Sequence, residues 1–230
     1  NESGINHAEY FSIIGSLNYV SVGTQPDITY AVNCLARYSS RPSTEHWKAL
    51  NHLINYLADT RDRPLVIAPR MPAEQPVKCF VDANWGGPNS RSSYGVLIRL
   101  YDCPIMWVSR RLVTVASSTC QAEYMALGHA TRHCLWIRNL LSDILGVEFR
   151  VHILCDNQSA VKISCQEASN KRTHHVERDF YVTNQAIYEK KTLVEWIPGK
   201  DQLADVLTKA LGKKAHGSAG LIVQGYDPPM

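Results

Sequence analysis

No two cysteines in this chain have CxxC spacing, and seven of them cannot all pair. Structural zinc sites and redox pairs use that spacing, so both are excluded as organising chemistry. Cys79, Cys134 and Cys155 sit inside apolar runs, as small hydrophobes of a reduced, intracellular protein do. No apolar run is long enough to cross a bilayer and no signal peptide opens the chain, so no membrane partner is expected. The chain begins with Asn1 rather than methionine, which reads as a piece of something longer. A strong charge of one sign is missing too. The formal net charge is +3 over 230 residues, and acidic and basic residues stay near balance along the chain. Any contact with nucleic acid is therefore local rather than a property of the whole surface. There is no internal repeat and no low-complexity segment.

What is present is an apolar fraction of 45%, enough for a real core. Residues 8–60 have helical spacing. Tyr10, Ile13, Ile14, Leu17 and Val20 form one stripe. Ile28, Val32, Leu35 and Ala36 form a second. Trp47, Leu50, Leu53, Ile54 and Leu57 form a third, capped by Ser43 or Thr44. Residues 61–76 are rich in Pro and charge and read as a linker, with a short strand at 65–67. Strands follow at 77–82, 93–101 and 104–111, the last two joined as a hairpin through Asp102 and Cys103. The pattern then gives a long helix over 119–145, a strand at 151–155 and a helix over 157–166. A helix over 175–190, a strand at 192–197 and a helix from Asp201, its cap, to Leu211 complete it. Residues 213–230 show no periodicity and read as a tail. The prediction is four parts: 1–60 helical, 61–76 linker, 77–212 a mixed α/β domain with five strands and helices on both faces, and 213–230 tail.

Several carboxylates occupy odd places. The stretch "VKCFVDANWGG" alternates like a half-buried strand, yet Asp82 falls while it still reads as sheet. On the long helix, the stripe Leu127, Ala130, Cys134, Ile137 and Leu141 continues backward onto Glu123. Either Glu123 faces the core, or it lies exposed at the helix start, where negative charge suits the dipole. Asp156 ends a strand, where it could be a helix cap or part of a site at the carboxyl ends of strands. Asp205 lies in "DQLADVLTKAL", where an ordinary solvated helix position explains it equally well. Were all four to meet, they could not all ionise without protons or divalent cations. Hard oxygen donors without thiolates select magnesium, with manganese as its substitute, and a pair of such ions suits phosphodiester chemistry.

"FVDANWGG…RSSYG", "SSTCQAEYMAL", "LCDNQSAV" and "LADVLTKAL" resemble the ribonuclease H domain of copia-type LTR retrotransposon Pol polyproteins. Residues 10–57 resemble the end of that family's reverse transcriptase region, so the resemblance covers roughly 8–212. It implies a ribonuclease H-like five-stranded mixed sheet and metal-dependent cutting of the RNA strand of RNA/DNA hybrids. It implies Asp82, Glu123, Asp156 and Asp205 as ligands of two Mg2+ ions. His175 aligns with a family histidine, although His174, Glu177, Arg178 and Asp179 depart from the usual block. Asn84 and Gln158 could meet ribose or phosphate, and Arg91, Ser92, Arg110 and Arg111 could hold phosphates. Trp85 and Trp107 could pack on sugars, with the core as the alternative place for Trp107. The expected partners are an RNA/DNA hybrid and the reverse transcriptase portion of the same polyprotein, with no small-molecule cofactor. The expected location is the cytoplasm, in a retroelement particle, and the nucleus. The paired aspartates of a polymerase are absent, so no DNA synthesis is expected. The competing reading is a catalytically silent remnant that binds nucleic acid or a polymerase partner. A transposase or integrase of the same fold class is a further alternative, against which the absence of a zinc-binding segment counts.

Overall fold

The structure is a computed structural model that describes residues 6–69, 75–87, 89–166 and 177–226, with 177–180 as backbone alone. The chain divides into two compact units, 1–66 with 210–230, and 67–209.

The first unit is helical. Helix α1 (His7–Gly23) starts where the Asn6 side chain accepts from the Glu9 amide, and it buries Tyr10, Ile14 and Leu17 at spacings of four and three. A 3-10 turn with proline in front (Pro26–Ile28) leads into α2 (Thr29–Ala36). Helix α3 (Thr44–Asp59) is capped by Ser43, whose hydroxyl accepts from His46 N while the His46 ring accepts from Ser43 N. Tyr10, Ile14, Leu17, Ile28, Val32, Leu35, Leu50 and Leu53 form its core, and the Tyr10 hydroxyl donates to the Leu35 carbonyl at 3.0 Å. Ile54, placed on the stripe by spacing, is instead exposed at the stripe's margin.

The predicted tail is corrected, because Lys213–Val223 form helix α7, which belongs to this helical unit. Its attachment is polar. Gln224 donates to Gln25 at 2.6 Å and to Asp27 at 3.2 Å, and the His216 ring meets the Asp27 carbonyl at 3.1 Å. The Tyr56 hydroxyl donates to Asp27 at 2.5 Å. A Cβ on Gly220 would lie 3.3 Å from that of Asp27, so the helix comes close to Asp27. No strand forms at 65–67. The Val66 amide bonds the Gln224 carbonyl instead.

The second unit holds a five-stranded sheet in the order β3-β2-β1-β4-β5. The strands are β1 (Val77–Asn84), β2 (Ser93–Leu100), β3 (Cys103–Arg111), β4 (Val151–Cys155) and β5 (Thr192–Trp196). β1 pairs antiparallel with β2 and parallel with β4. β3 extends the antiparallel side and β5 the parallel side, so the sheet is mixed. The β2–β3 turn is Tyr101–Asp102, both left-handed (φ 49° and 64°), as a two-residue hairpin of matching twist requires. Helix α4 (Thr119–Leu145) covers one face, with α5 (Gln158–Ser164) and α6 (Glu177–Tyr188) beside it. On the other face the predicted helix 201–211 is replaced by two 3-10 turns, Gly199–Asp201 and Leu203–Leu207. Gln202, not Asp201, caps the second by accepting from Ala204 N. This turn sits directly on β2, where a Cβ on Gly95 would meet Leu207 Cβ at 2.7 Å. That cover makes β1 buried on both faces rather than half-buried, Asp82 included.

Candidate active site

β1 and β4 run parallel, so Asp82 and Asp156 come out at the same end of neighbouring strands. Gln202 bridges the two strands there, donating to the Val81 carbonyl at 2.9 Å and the Leu154 carbonyl at 3.5 Å. α4 starts at the same end. Its cap is Ser118, and Glu123 lies one turn further in, only 6% exposed. The exposed-start reading of Glu123 is thereby overturned. The helix-cap reading of Asp156 is overturned as well, because Asn157 caps α5 by accepting from Ala160 N at 3.0 Å. The Asp156 carboxylate is left for the site. Asp205, in the 3-10 turn, comes from the opposite face.

One oxygen each from Asp82, Asp156 and Asp205 lie within 4.8 Å of one another, and Glu123, Cys155 and Asp156 form a second such group. Asp156 belongs to both. Burial, and then the charges of Asp82 and Asp156, push the Glu123 carboxyl up to about 9. Burial also raises Asp205 to about 6, against the pull of Lys209. Asp156 is raised by burial and by Asp82. Among the described residues one positive charge answers this cluster. The Lys209 ammonium lies 2.8 Å from Asp205 Oδ1 and 3.6 Å from Asp82 Oδ2, and the Thr208 hydroxyl donates to Asp82. Burial works against that ammonium, yet the surrounding carboxylates outweigh it and raise its pKa. Among the described residues a single ammonium against four carboxylates leaves a surplus of negative charge that protons or divalent cations would neutralise, and the oxygen-rich donor set fits Mg2+ or Mn2+.

Sequence reasoning did not find Lys209, Thr208, Gln202 or Cys155. Lys209 had a readable signal, since it stands four residues after Asp205. Cys155 keeps the set free of thiolate: its fully buried thiol donates to Glu123 at 3.9 Å, and burial and the Glu123 charge push its pKa up. Asn84 and Gln158 are exposed at the ends of β1 and the start of α5, and Arg91, Arg110 and Arg111 are exposed on the same unit. Ser92 is a correction. It is fully buried and accepts from the Gly86 amide at 3.3 Å, so its hydroxyl holds the loop rather than a ligand. Trp85 is another. Its indole donates to the Ala116 carbonyl at 2.9 Å and its ring packs on the core. Trp107 is half-buried on β3. His175 lies outside the described residues.

No family model matches the chain. Over 211 residues, 90% of its length, it is 32% identical to the "Retrovirus-related Pol polyprotein from transposon RE2" of Arabidopsis thaliana. The chain belongs to the copia-type retrotransposon Pol family. It spans 14% of the length of that polyprotein. It is also 33% identical over 135 residues to "Secreted RxLR effector protein 161" of Plasmopara viticola, covering 58% of this chain and 94% of that one. Among solved structures, LC11-RNase H1 in complex with an RNA/DNA hybrid resembles 57% of this chain and 93% of its own, with 18% identity and a TM-score of 0.46.

Proposed function

We propose that this member of the Pol family is its ribonuclease H, hydrolysing the RNA strand of RNA/DNA hybrids during reverse transcription. One observation carries the reading: Asp82, Glu123, Asp156 and Asp205, drawn from two strands, a helix and a 3-10 turn, converge at one end of the sheet. Uncompensated, a largely buried acidic cluster of this size costs several kcal/mol, and bound cations would offset that cost. The four carboxylates would hold Mg2+, which when bound supplies an activated water and neutralises charge at the leaving oxygen. The chain's own groups do the rest. Lys209 and Thr208 fix the carboxylates of Asp82 and Asp205. Asn84 and Gln158 offer amides at the rim, where a ribose 2′-hydroxyl would distinguish RNA from DNA. Arg91 and Arg111, both exposed, would grip phosphates of the hybrid.

The partners proposed are the hybrid and the reverse transcriptase portion of the same polyprotein, within the cell. No helix among the described residues is long and apolar enough to cross a membrane. The test is incubation with labelled RNA/DNA hybrid, RNA duplex and DNA duplex, with Mg2+ or with EDTA. Mg2+-dependent cutting of RNA in the hybrid alone, lost in Asp82→Asn with the fold intact, is the expected result. Binding without cutting, indifferent to Asp156→Asn, would make the chain a silent remnant.

A further inference from the structure

Five of the twelve residues from Trp136 to Val147 are large, apolar and exposed. Trp136, Leu140 and Ile144 lie at steps of four along the outer side of α4 and are 58%, 42% and 69% exposed. Leu145 and Val147 extend the patch around the left-handed Gly146 that ends the helix. The opposite row of the same helix, Ala130, Cys134, Ile137 and Leu141, packs on the sheet core. The helix is therefore apolar on two sides, and among the described residues only one of them is covered. Apolar residues exposed singly are ordinary, but a contiguous row marks a binding surface. Charge frames the row. Arg132 stands one turn before Trp136 and Asp143 stands beside Ile144, both exposed. A helix that lies on a membrane would carry cations along its flanks, and a nucleic-acid face would not end in an acid. A row that is basic at its start, apolar in its middle and acidic at its end is matched by the same row reversed.

We propose that α4 is a homodimer contact of this chain, with two copies packing antiparallel through Trp136, Leu140 and Ile144. With the two-fold axis midway between Trp136 and Leu140, Trp136 of each copy faces Leu140 of the other, since the two lie equally far from the axis. The same symmetry brings Arg132 level with Asp143 and Ile144 of the other copy. The arginine stem covers Ile144 and its guanidinium reaches the Asp143 carboxylate, once from each side. A parallel pair would set Arg132 against Arg132 and Asp143 against Asp143, so charge selects the antiparallel arrangement. Such a contact uses the same patch on both copies and stops at two. The row spans about 20 Å of helix, short for an obligate interface, so dissociation is expected in the micromolar range. Trp136 stands thirteen residues beyond Glu123. That is about 20 Å along α4, so the contact leaves both acidic sites open. The proposal does not depend on the ribonuclease H reading.

The test is sedimentation velocity of the full chain, with the fold checked by circular dichroism. The parent should pass from monomer to dimer between about 1 and 200 µM. Ile144→Glu, at an exposed position that spares the core, should stay monomeric throughout. Arg132→Glu and Asp143→Arg each set like charges together, and each should weaken the dimer about tenfold or more. Mixed in equal amounts, these two variants should recover dimer as heterodimers, because the acid placed at 132 of one then faces the base placed at 143 of the other. The double variant Arg132→Glu/Asp143→Arg should recover it alone. A parent that is monomeric over the whole range would overturn the proposal and hand the row to the reverse transcriptase portion of the polyprotein instead. Dimers that survive Ile144→Glu, single-charge variants as tight as the parent, or variants that stay weak when mixed would each overturn it, because the contact would then lie elsewhere or run parallel. Hybrid cleavage enters none of these readouts, so the ribonuclease H reading stands or falls separately.

Discussion

Glu123 concentrates the electrostatic problem of this protein in one side chain. It is buried beside two other carboxylates, and its pKa is raised to about 9, so at neutral pH a cation-free site would keep it protonated at a cost to stability. Glu123→Gln removes that cost. It is expected to raise stability in EDTA by about 1–3 kcal/mol, read from urea unfolding, while hybrid cleavage in Mg2+ falls at least about 100-fold. Lower stability together with retained cleavage would show that the carboxylate is structural. Lys209 makes the opposite case. Its ammonium offsets Asp82, which is 2% exposed, and Asp205. The lysine side chain is itself 37% exposed, so solvent screening cuts the value of the pair well below that of a sealed one. Lys209→Ala is expected to destabilise the chain in EDTA by about 1–2 kcal/mol, and Mg2+ should recover more stability in the variant than in the parent. An equal response to Mg2+ in both would mean that Lys209 does not feel the site.

At the scale of elements, what the sequence showed and what it hid differ by the range of the forces involved. The 27-residue α4 and the start of β1 follow from period alone, because each buries a continuous apolar set against one neighbour. Three of the four carboxylates also stood out locally, as acids where a strand or an apolar stripe should have continued. Asp205 did not, because its turn is held by Gln202 reaching back to β1 and by Leu207 seated over Gly95, contacts more than 100 residues apart in the chain. Helix α7 was hidden for the same reason. Its two interior glycines blur any stripe, and its anchors are Gln224 and His216 on Asp27. Ser92 and Trp85 looked like ligands because polar and aromatic residues in a loop look alike whether they face solvent or close the loop. The Asp27 anchor has a pH signature. Burial raises its pKa despite the Tyr56 hydrogen bond, so the folded state holds a proton that the unfolded chain releases. Stability from this group is full below the unfolded value near 4, and it falls as pH rises until the folded pKa is passed. Hydrogen exchange of core amides in α1–α3 should therefore show less protection at pH 7 than at pH 4, and Asp27→Asn should flatten that dependence. A slope that survives the substitution would place its origin elsewhere.

Across the whole molecule, these two sets of interactions fall in separate compact units, with the acidic site wholly in residues 67–209 and the Asp27 anchor wholly in 1–66 with 210–230. A ligand stabilises only what it binds, so saturating Mg2+ at about 100 times its dissociation constant should add about 2.7 kcal/mol to the sheet unit alone. For a unit of this size that is a rise of roughly 5–10 °C in its transition. Truncation after Gly212 removes α7 and leaves Gln25 and Asp27 without Gln224 and His216, which penalises the helical unit alone. Differential scanning calorimetry should resolve two transitions, one moved upward by Mg2+ and the other moved downward by the truncation. A single transition shifted by both would mean that the two units melt as one body and that the site shares its stability with the helices. Separate shifts would show that the chain carries its chemistry in one unit and can lose the order of the other without disturbing the carboxylates.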